Sequence, residues 1–222
     1  MAASPPTLVV FDLDGTLVDS LADIAAALNE TLGRLSRGTP PLHRETVRAL
    51  VGNGARELVA GALPRAGVEA PVDEALALFI DSYRRGLLNE TRPYPGVVAG
   101  LDRLRGRTLA VLTNKPGDMS RAILEGLGLD DRFKRIYGGG DVPGRKPDPA
   151  GLRRLLEETS TPPGDALMVG DSGVDIRTAR NAGVAAAGVS YGFDPMGLAA
   201  AAPDFVLDSL EALADRLERG DL

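Results

Sequence analysis

Apolar residues in this chain fall into two kinds of run. Residues 7–11 (TLVVF) are continuously apolar or β-branched and stop abruptly at Asp12, the pattern of a strand buried on both faces. Similar short runs recur at 108–112 (TLAVL), 166–169 (ALMV), 184–189 (VAAAGV) and, more weakly, 205–207. Between them, residues 118–127, 149–158 and 174–182 place apolar side chains at helical spacing, each stretch bounded by turn residues. This alternation predicts an α/β fold, a Rossmann-like parallel sheet with helices on both faces. Residues 20–90 interrupt it with no strand and three amphipathic helical patterns, at 21–35, 45–63 and 72–88. The expected organisation is an α/β core from 1–19 and 91–222, with a helical domain at 20–90 inserted after the first strand; TRPYPG at 91–96 marks the return.

In an open α/β sheet, ligands bind beyond the carboxyl ends of the strands. Those ends carry Asp12 and Asp14, Thr113 and Asn114, and Gly170 and Asp171. Asp12 and Asp14 follow an extended run one residue apart, so their carboxylates project to the same side. Such a pair either shares a proton or is kept ionised by a cation, while a D-x-D-G turn accounts for the same residues without chemistry. Asp171 and Asp175 bracket a helix start, where one capping acid would suffice. Four carboxylates with no His or Cys among them form a hard oxygen set of the kind Mg²⁺ prefers, together with water and phosphate oxygens. In GRKPDP, helix capping accounts for Asp148 and Pro149 but not for Lys146, whose ammonium is either a point charge for a phosphoryl group or a solvated surface group. Thr113 and Asn114 sit between a strand and a helix start, a place that cradles anions.

Composition removes other chemistries. The 222 residues suffice for a core without disulfides, and the absence of Cys excludes thiolate metal sites and Cys nucleophiles. A formal charge of −6 argues against nucleic acid as a partner. No leader-like or membrane-length apolar stretch is present, so a soluble, cytoplasmic protein is expected. Only three of the 25 basic residues are lysines, Lys115, Lys134 and Lys146, so a retained Lys invites a reason. The single histidine, His43, lies in the insert with no nucleophile near it, and GGDVPGRKP lacks the Gly-Lys-Ser/Thr of a phosphate-binding P-loop.

Taken in order, FDLDGTLVDS, LTNK, RKPDP and GDSGVD resemble the four motifs of the haloacid dehalogenase superfamily of phosphohydrolases, across the whole chain. The resemblance implies a helical cap between the first and second motifs and a small phosphate ester as substrate. It makes Asp12 the nucleophile and Asp14 the general acid, then base. Thr113 and Asn114 would hold substrate, and Lys146 would neutralise charge. Mg²⁺ would be held by the Asp12 carboxylate, the Asp14 backbone carbonyl and Asp171, with Asp175 a further ligand or an orienter. Asp14 argues against the dehalogenases of the superfamily. VGNGARELV, RPYPGV and Ser190-Tyr191-Gly192-Phe193 are similar to bacterial phosphoglycolate phosphatases, although Gly52-Asn53-Gly54 equally suits a helix–helix turn. If that loop faces the core, Arg56 is the candidate for the carboxylate of 2-phosphoglycolate. Pyrophosphate or a sugar phosphate, a β-phosphoglucomutase-like isomerase and a non-catalytic binding module are the competing readings; monomer and homodimer both remain open.

Overall fold

The computed structural model describes residues 5–221. Strand β1 (Leu8–Phe11) is buried along its whole length, which is why its sequence is continuously apolar rather than alternating. The chain then makes the two-residue strand β2 (Val18–Asp19) and enters four helices, α1 (Leu21–Leu35), α2 (Arg44–Arg48), α3 (Ala55–Arg65) and α4 (Val72–Arg85). It returns through β3 (Arg92–Pro93), which pairs antiparallel with β2. The remainder alternates: α5 (Val97–Arg103), β4 (Thr108–Pro116), α6 (Gly117–Gly126), β5 (Arg135–Gly139), α7 (Ala150–Thr159), β6 (Ala166–Gly170), α8 (Gly173–Ala182), β7 (Ala185–Val189), α9 (Pro195–Ala201), β8 (Phe205–Leu207) and α10 (Leu210–Arg219).

The six long-range strands form one parallel sheet in the order β5-β4-β1-β6-β7-β8. The chain builds outward from β1 on one side, then crosses back to build on the other, so β1 is the point where the winding reverses. Its neighbours are β4 and β6, and this brings the carboxyl ends of the three polar-tipped strands side by side. Apolar clusters cover both faces of the sheet. One gathers around Phe11, Leu101, Val111 and Leu213, the other around Val10, Leu152, Leu155 and Met168.

The helices of residues 21–85 bury a cluster of their own, around Leu28, Val59, Ala62 and Phe79, to which the sheet unit adds Met119 and Phe193 as buried members. The pattern at 45–63 is not one helix. It divides into α2 and α3 because the chain turns through Gly52 and Gly54, both at positive φ (121° and 91°), a backbone region most L residues avoid. Strand β5 was not expected either; its RIYGG carries only two apolar side chains before ending in glycine.

Candidate active site

Asp12 ends β1 at the reversal point and is buried. Lys146 Nζ approaches its Oδ1 to 2.7 Å, but off hydrogen-bond alignment, so this buried oxygen has no hydrogen-bond partner. The same ammonium donates to Asp175 Oδ1 at 2.6 Å. Asp175 stands at the third position of α8, where its Oδ2 accepts from the Ser172 amide and hydroxyl at 3.1 and 2.6 Å. Both oxygens of Asp175 are therefore engaged. Asp171 lies between them in sequence space and on the same wall, its Oδ2 accepting from Phe193 N at 2.6 Å and its Oδ1 from the Thr16 hydroxyl at 3.3 Å. Carboxylate oxygens of Asp12, Asp171 and Asp175 lie within 4.8 Å of one another. Gly15 has to be glycine here: a Cβ on it would stand 2.3 Å from Asp171 Oδ2.

Three buried acids cannot all ionise cheaply around one ammonium. Burial pushes the Asp12 carboxyl up to about 6 against the pull of Lys146, and the charges of Asp175 and Asp14 add to the rise. Burial, then the charges of Asp175 and Asp12, hold Asp171 well above the ordinary carboxylate range. Burial alone would lower Lys146, but Asp12 and Asp175 keep its ammonium above its usual value. An orphaned Asp12 oxygen, an all-oxygen donor set and a surplus of negative charge fit a divalent cation.

Asp14 faces a second lysine. Lys115 Nζ donates to its two oxygens at 2.9 and 3.0 Å and to Tyr83 Oη of α4 at 2.6 Å; Ser20 Oγ donates to Asp14 Oδ1 at 2.5 Å. Asp12, Asp14, Thr113, Lys115 and Asp171 line a cavity of about 60 Å³, room for roughly four waters by the usual measure of internal space. The insert closes it with Ile24, Val51, Gly52, Gly54, Ala55, Leu58, Phe79 and Tyr83.

A family model described as haloacid dehalogenase-like hydrolase matches residues 9–189. The chain belongs to the haloacid dehalogenase-like hydrolases. Among its relatives in this family, a phosphoglycolate phosphatase of Pseudomonas putida is 42% identical over 216 residues, covering 94% of this chain and 78% of the relative. One of Rhodospirillum rubrum is 41% identical over 221 residues, covering 96% and 91%. The crystal structure of a predicted phosphoglycolate phosphatase from Haemophilus somnus superposes with a TM-score of 0.88 at 33% identity, covering 96% of this chain and 98% of that one. A parallel α/β core with helices on both faces is the architecture the four motifs led one to expect.

Within this hydrolase, Asp12, Asp14, Thr113, Asn114, Lys146, Asp171 and Asp175 converge on one corner of the sheet, and His43 is exposed on the insert. Two placements differ from the sequence reading. Asn114 lines the cavity, yet its amide is fully engaged: Nδ2 donates to Gly52 O (2.9 Å) and Lys146 O (3.0 Å), and Oδ1 accepts from Lys146 N (2.8 Å). It ties the insert to the backbone of Lys146 rather than offering donors to a substrate. Arg56 is absent from the wall of this cavity; it pairs with Asp73 and lines an adjoining pocket with Ala55, Asn114 and Arg145. Ala55 and Leu58 are the cavity-facing positions of α3, and each helical residue is turned about 100° from its neighbour. Two residues without a sequence-derived role complete the site: Lys115, and Arg48 of α2, which donates to the carbonyls of Phe193 and Gly192 at 2.9 and 2.6 Å. The scarcity of lysine was the signal available for Lys115; nothing local marked Arg48, whose partners are about 145 residues away.

Proposed function

We propose that this chain is a Mg²⁺-dependent phosphatase that hydrolyses 2-phosphoglycolate to glycolate and phosphate. The observation that carries the reading is Asp12, a buried carboxylate held at the winding reversal against Lys146 and beside Asp171 and Asp175, on the wall of a cavity that it shares with Asp14. The relatives bearing the name phosphoglycolate phosphatase support the substrate.

Asp12 is the nucleophile: a carboxylate oxygen bonds to phosphorus as the bond to the glycolate oxygen breaks. The Asp14 carboxyl gives its proton to that oxygen. Water then attacks the aspartyl-phosphate, Asp14 takes the water's proton, and phosphate leaves with Asp12 restored. Lys146 lies against Asp12 Oδ1 and offsets charge on the phosphoryl oxygens, which the Thr113 hydroxyl orients. Asp12 and Asp171 are the groups that would hold Mg²⁺ directly, and Asp175, with both oxygens engaged, orients Lys146 and Ser172. The ion supplies positive charge where the transferring phosphoryl group develops negative charge. The helical insert is the mobile cap that admits substrate and excludes water. A mutase would need an acid–base group on the cap, and the insert brings no carboxylate, histidine or lysine to the cavity wall.

The test is phosphate release with Mg²⁺ and with EDTA across 2-phosphoglycolate, pyrophosphate, sugar phosphates and β-glucose 1-phosphate, ranked by kcat/KM. Mg²⁺-dependent preference for 2-phosphoglycolate by orders of magnitude is expected; a flat profile or another winner would refute the substrate. Asp12→Asn should abolish turnover while the fold persists, and substantial activity in a pure sample would remove Asp12 from its role.

A further inference from the structure

2-Phosphoglycolate carries two anionic ends, and the site as described answers only one of them. Lys146 and the acidic cluster serve the phosphoryl group. The carboxylate needs a second cation, close to the leaving oxygen, because a single methylene separates the two. Among the described residues lining the cavity, Lys115 is the one Lys or Arg. Arg56 pairs with Asp73 and, with Arg145, lines a neighbouring pocket, and Arg48 is bound to the carbonyls of Gly192 and Phe193.

We propose that Lys115 is the residue by which this site selects a carboxylate next to the phosphate ester, with Tyr83 as its auxiliary. This inference rests on the phosphatase reading above and names how its substrate is recognised. The geometry follows from Asp14. A group that protonates the leaving oxygen lies within a hydrogen bond of it, and Lys115 Nζ lies 2.9 Å from Asp14. A cation so placed reaches the carboxylate one carbon further on, sharing its donors between Asp14 and substrate. The Lys115 side chain is 4% exposed, and a desolvated ammonium discriminates charge far better than one in water. Tyr83 Oη accepts from Lys115 at 2.6 Å, which leaves its own O–H without an acceptor among the described residues and available to the second carboxylate oxygen. Much of the rest of the wall is apolar, Ile24, Val51, Leu58, Phe79, Met119 and Phe193, beside the polar Ser172 and Asp194, so few of a sugar's hydroxyls find a partner, and unpaired buried hydroxyls are costly.

The experiment compares kcat/KM for 2-phosphoglycolate with that for ethyl phosphate, which keeps the ester and lacks the carboxylate. Measurements use the full chain with Mg²⁺, as wild type and as Lys115→Met, Lys115→Arg and Tyr83→Phe. The wild-type ratio should be about a thousand or more. Lys115→Met should lower it at least about a hundredfold, Tyr83→Phe about tenfold, and Lys115→Arg should keep part of it. Equal losses on both substrates, leaving the ratio unchanged, would overturn the proposal and make Lys115 a support for Asp14 alone. A wild-type ratio near one would overturn both this inference and the phosphoglycolate reading. Should Lys115→Met fail to fold, ¹⁵N-lysine labelling of Asp12→Asn protein decides, since the chain has only three lysines. The Lys115 Nζ resonance should shift with 2-phosphoglycolate and not with ethyl phosphate, and identical responses would refute the assignment.

Discussion

Lys146 touches two carboxylates at once, Asp12 at 2.7 Å and Asp175 at 2.6 Å, with its own side chain 3% exposed. Lys146→Ala therefore removes the counter-charge of two buried acids as well as a stabiliser of transferred charge. It should cost at least about a hundredfold in kcat and lower Tm, and an unchanged rate would return Lys146 to a structural role. The acids carry a pH signature of their own. Asp12 is raised from 3.8 to about 6 by burial, so between these values the folded state binds more protons than the unfolded one and stability falls as pH rises. Metal-free protein should melt roughly 3–8 °C higher at about pH 5 than at about pH 7. Carboxylates held low by ion pairs, such as Glu158 near 2 beside Tyr137 and Arg154, begin to lose their contribution only below that range. Added Mg²⁺ competes with those protons, so it should raise Tm more at pH 7 than at pH 5; an equal increment would detach the ion from these acids. Asp12, Asp14, Thr113 and Asp171 were legible because buried strands end abruptly in polar residues, and Lys146 because helix capping left a rare lysine unexplained. Lys115 was legible only as a rare lysine, since its partners Asp14 and Tyr83 lie 101 and 32 residues away.

At the scale of elements, the break between α2 and α3 matters most to the site, and it is where helical periodicity misled. Apolar spacing continues through 45–63, but Gly52 and Gly54 turn the chain, as the reading of Gly52-Asn53-Gly54 as a helix–helix turn allowed. The break lets α3 present Ala55 and Leu58 to the cavity and lets Arg48 reach the 190–193 loop of the sheet unit. That loop supports Asp171: Phe193 N donates to it, and a Cβ on Gly192 would stand 2.1 Å from Asp171 Cβ. Arg48 thus acts on Asp171 through one peptide. Arg48→Met should weaken divalent-ion binding roughly tenfold or more, read by Mn²⁺ titration without substrate, and Arg48→Lys should recover part of the affinity. An unchanged isotherm accompanied by a raised KM would make Arg48 a tether between insert and sheet and nothing more. Helix α1, by contrast, runs over Leu21–Leu35 as its spacing predicts, because its apolar stripe and its burial coincide.

The whole molecule is two packed units joined by two crossings of the chain, and one buried carboxylate holds the crossings together. Asp23 in the first turn of α1 accepts from Glu90 N, Thr91 N and the Thr91 hydroxyl at 2.7–3.0 Å and is 4% exposed. The β2–β3 ribbon beside it pairs only two residues per strand, too few to fix the spacing by itself. The proposed movement of the insert over the cavity has to turn about this point. Elsewhere the insert meets the sheet unit through polar contacts at Arg48 and Asn114, between Tyr83 and Lys115 and between Arg84 and Asp118, and through the buried side chains of Met119 and Phe193, which belong to the insert's own apolar cluster. Asp23→Ala leaves three donors, two of them on the buried Thr91, without an acceptor and should cost about 2–4 kcal/mol in urea unfolding followed by circular dichroism. Asp23→Asn should not rescue it, because its amide sets a donor against donors. Stability loss alone would describe any buried network, so kinetics must separate the readings. Below the variant's Tm, a hinge role predicts a raised KM, since the insert no longer returns to one position over the cavity. If Asp23→Ala melts early yet keeps wild-type KM and kcat, the carboxylate serves the fold only and the insert turns elsewhere.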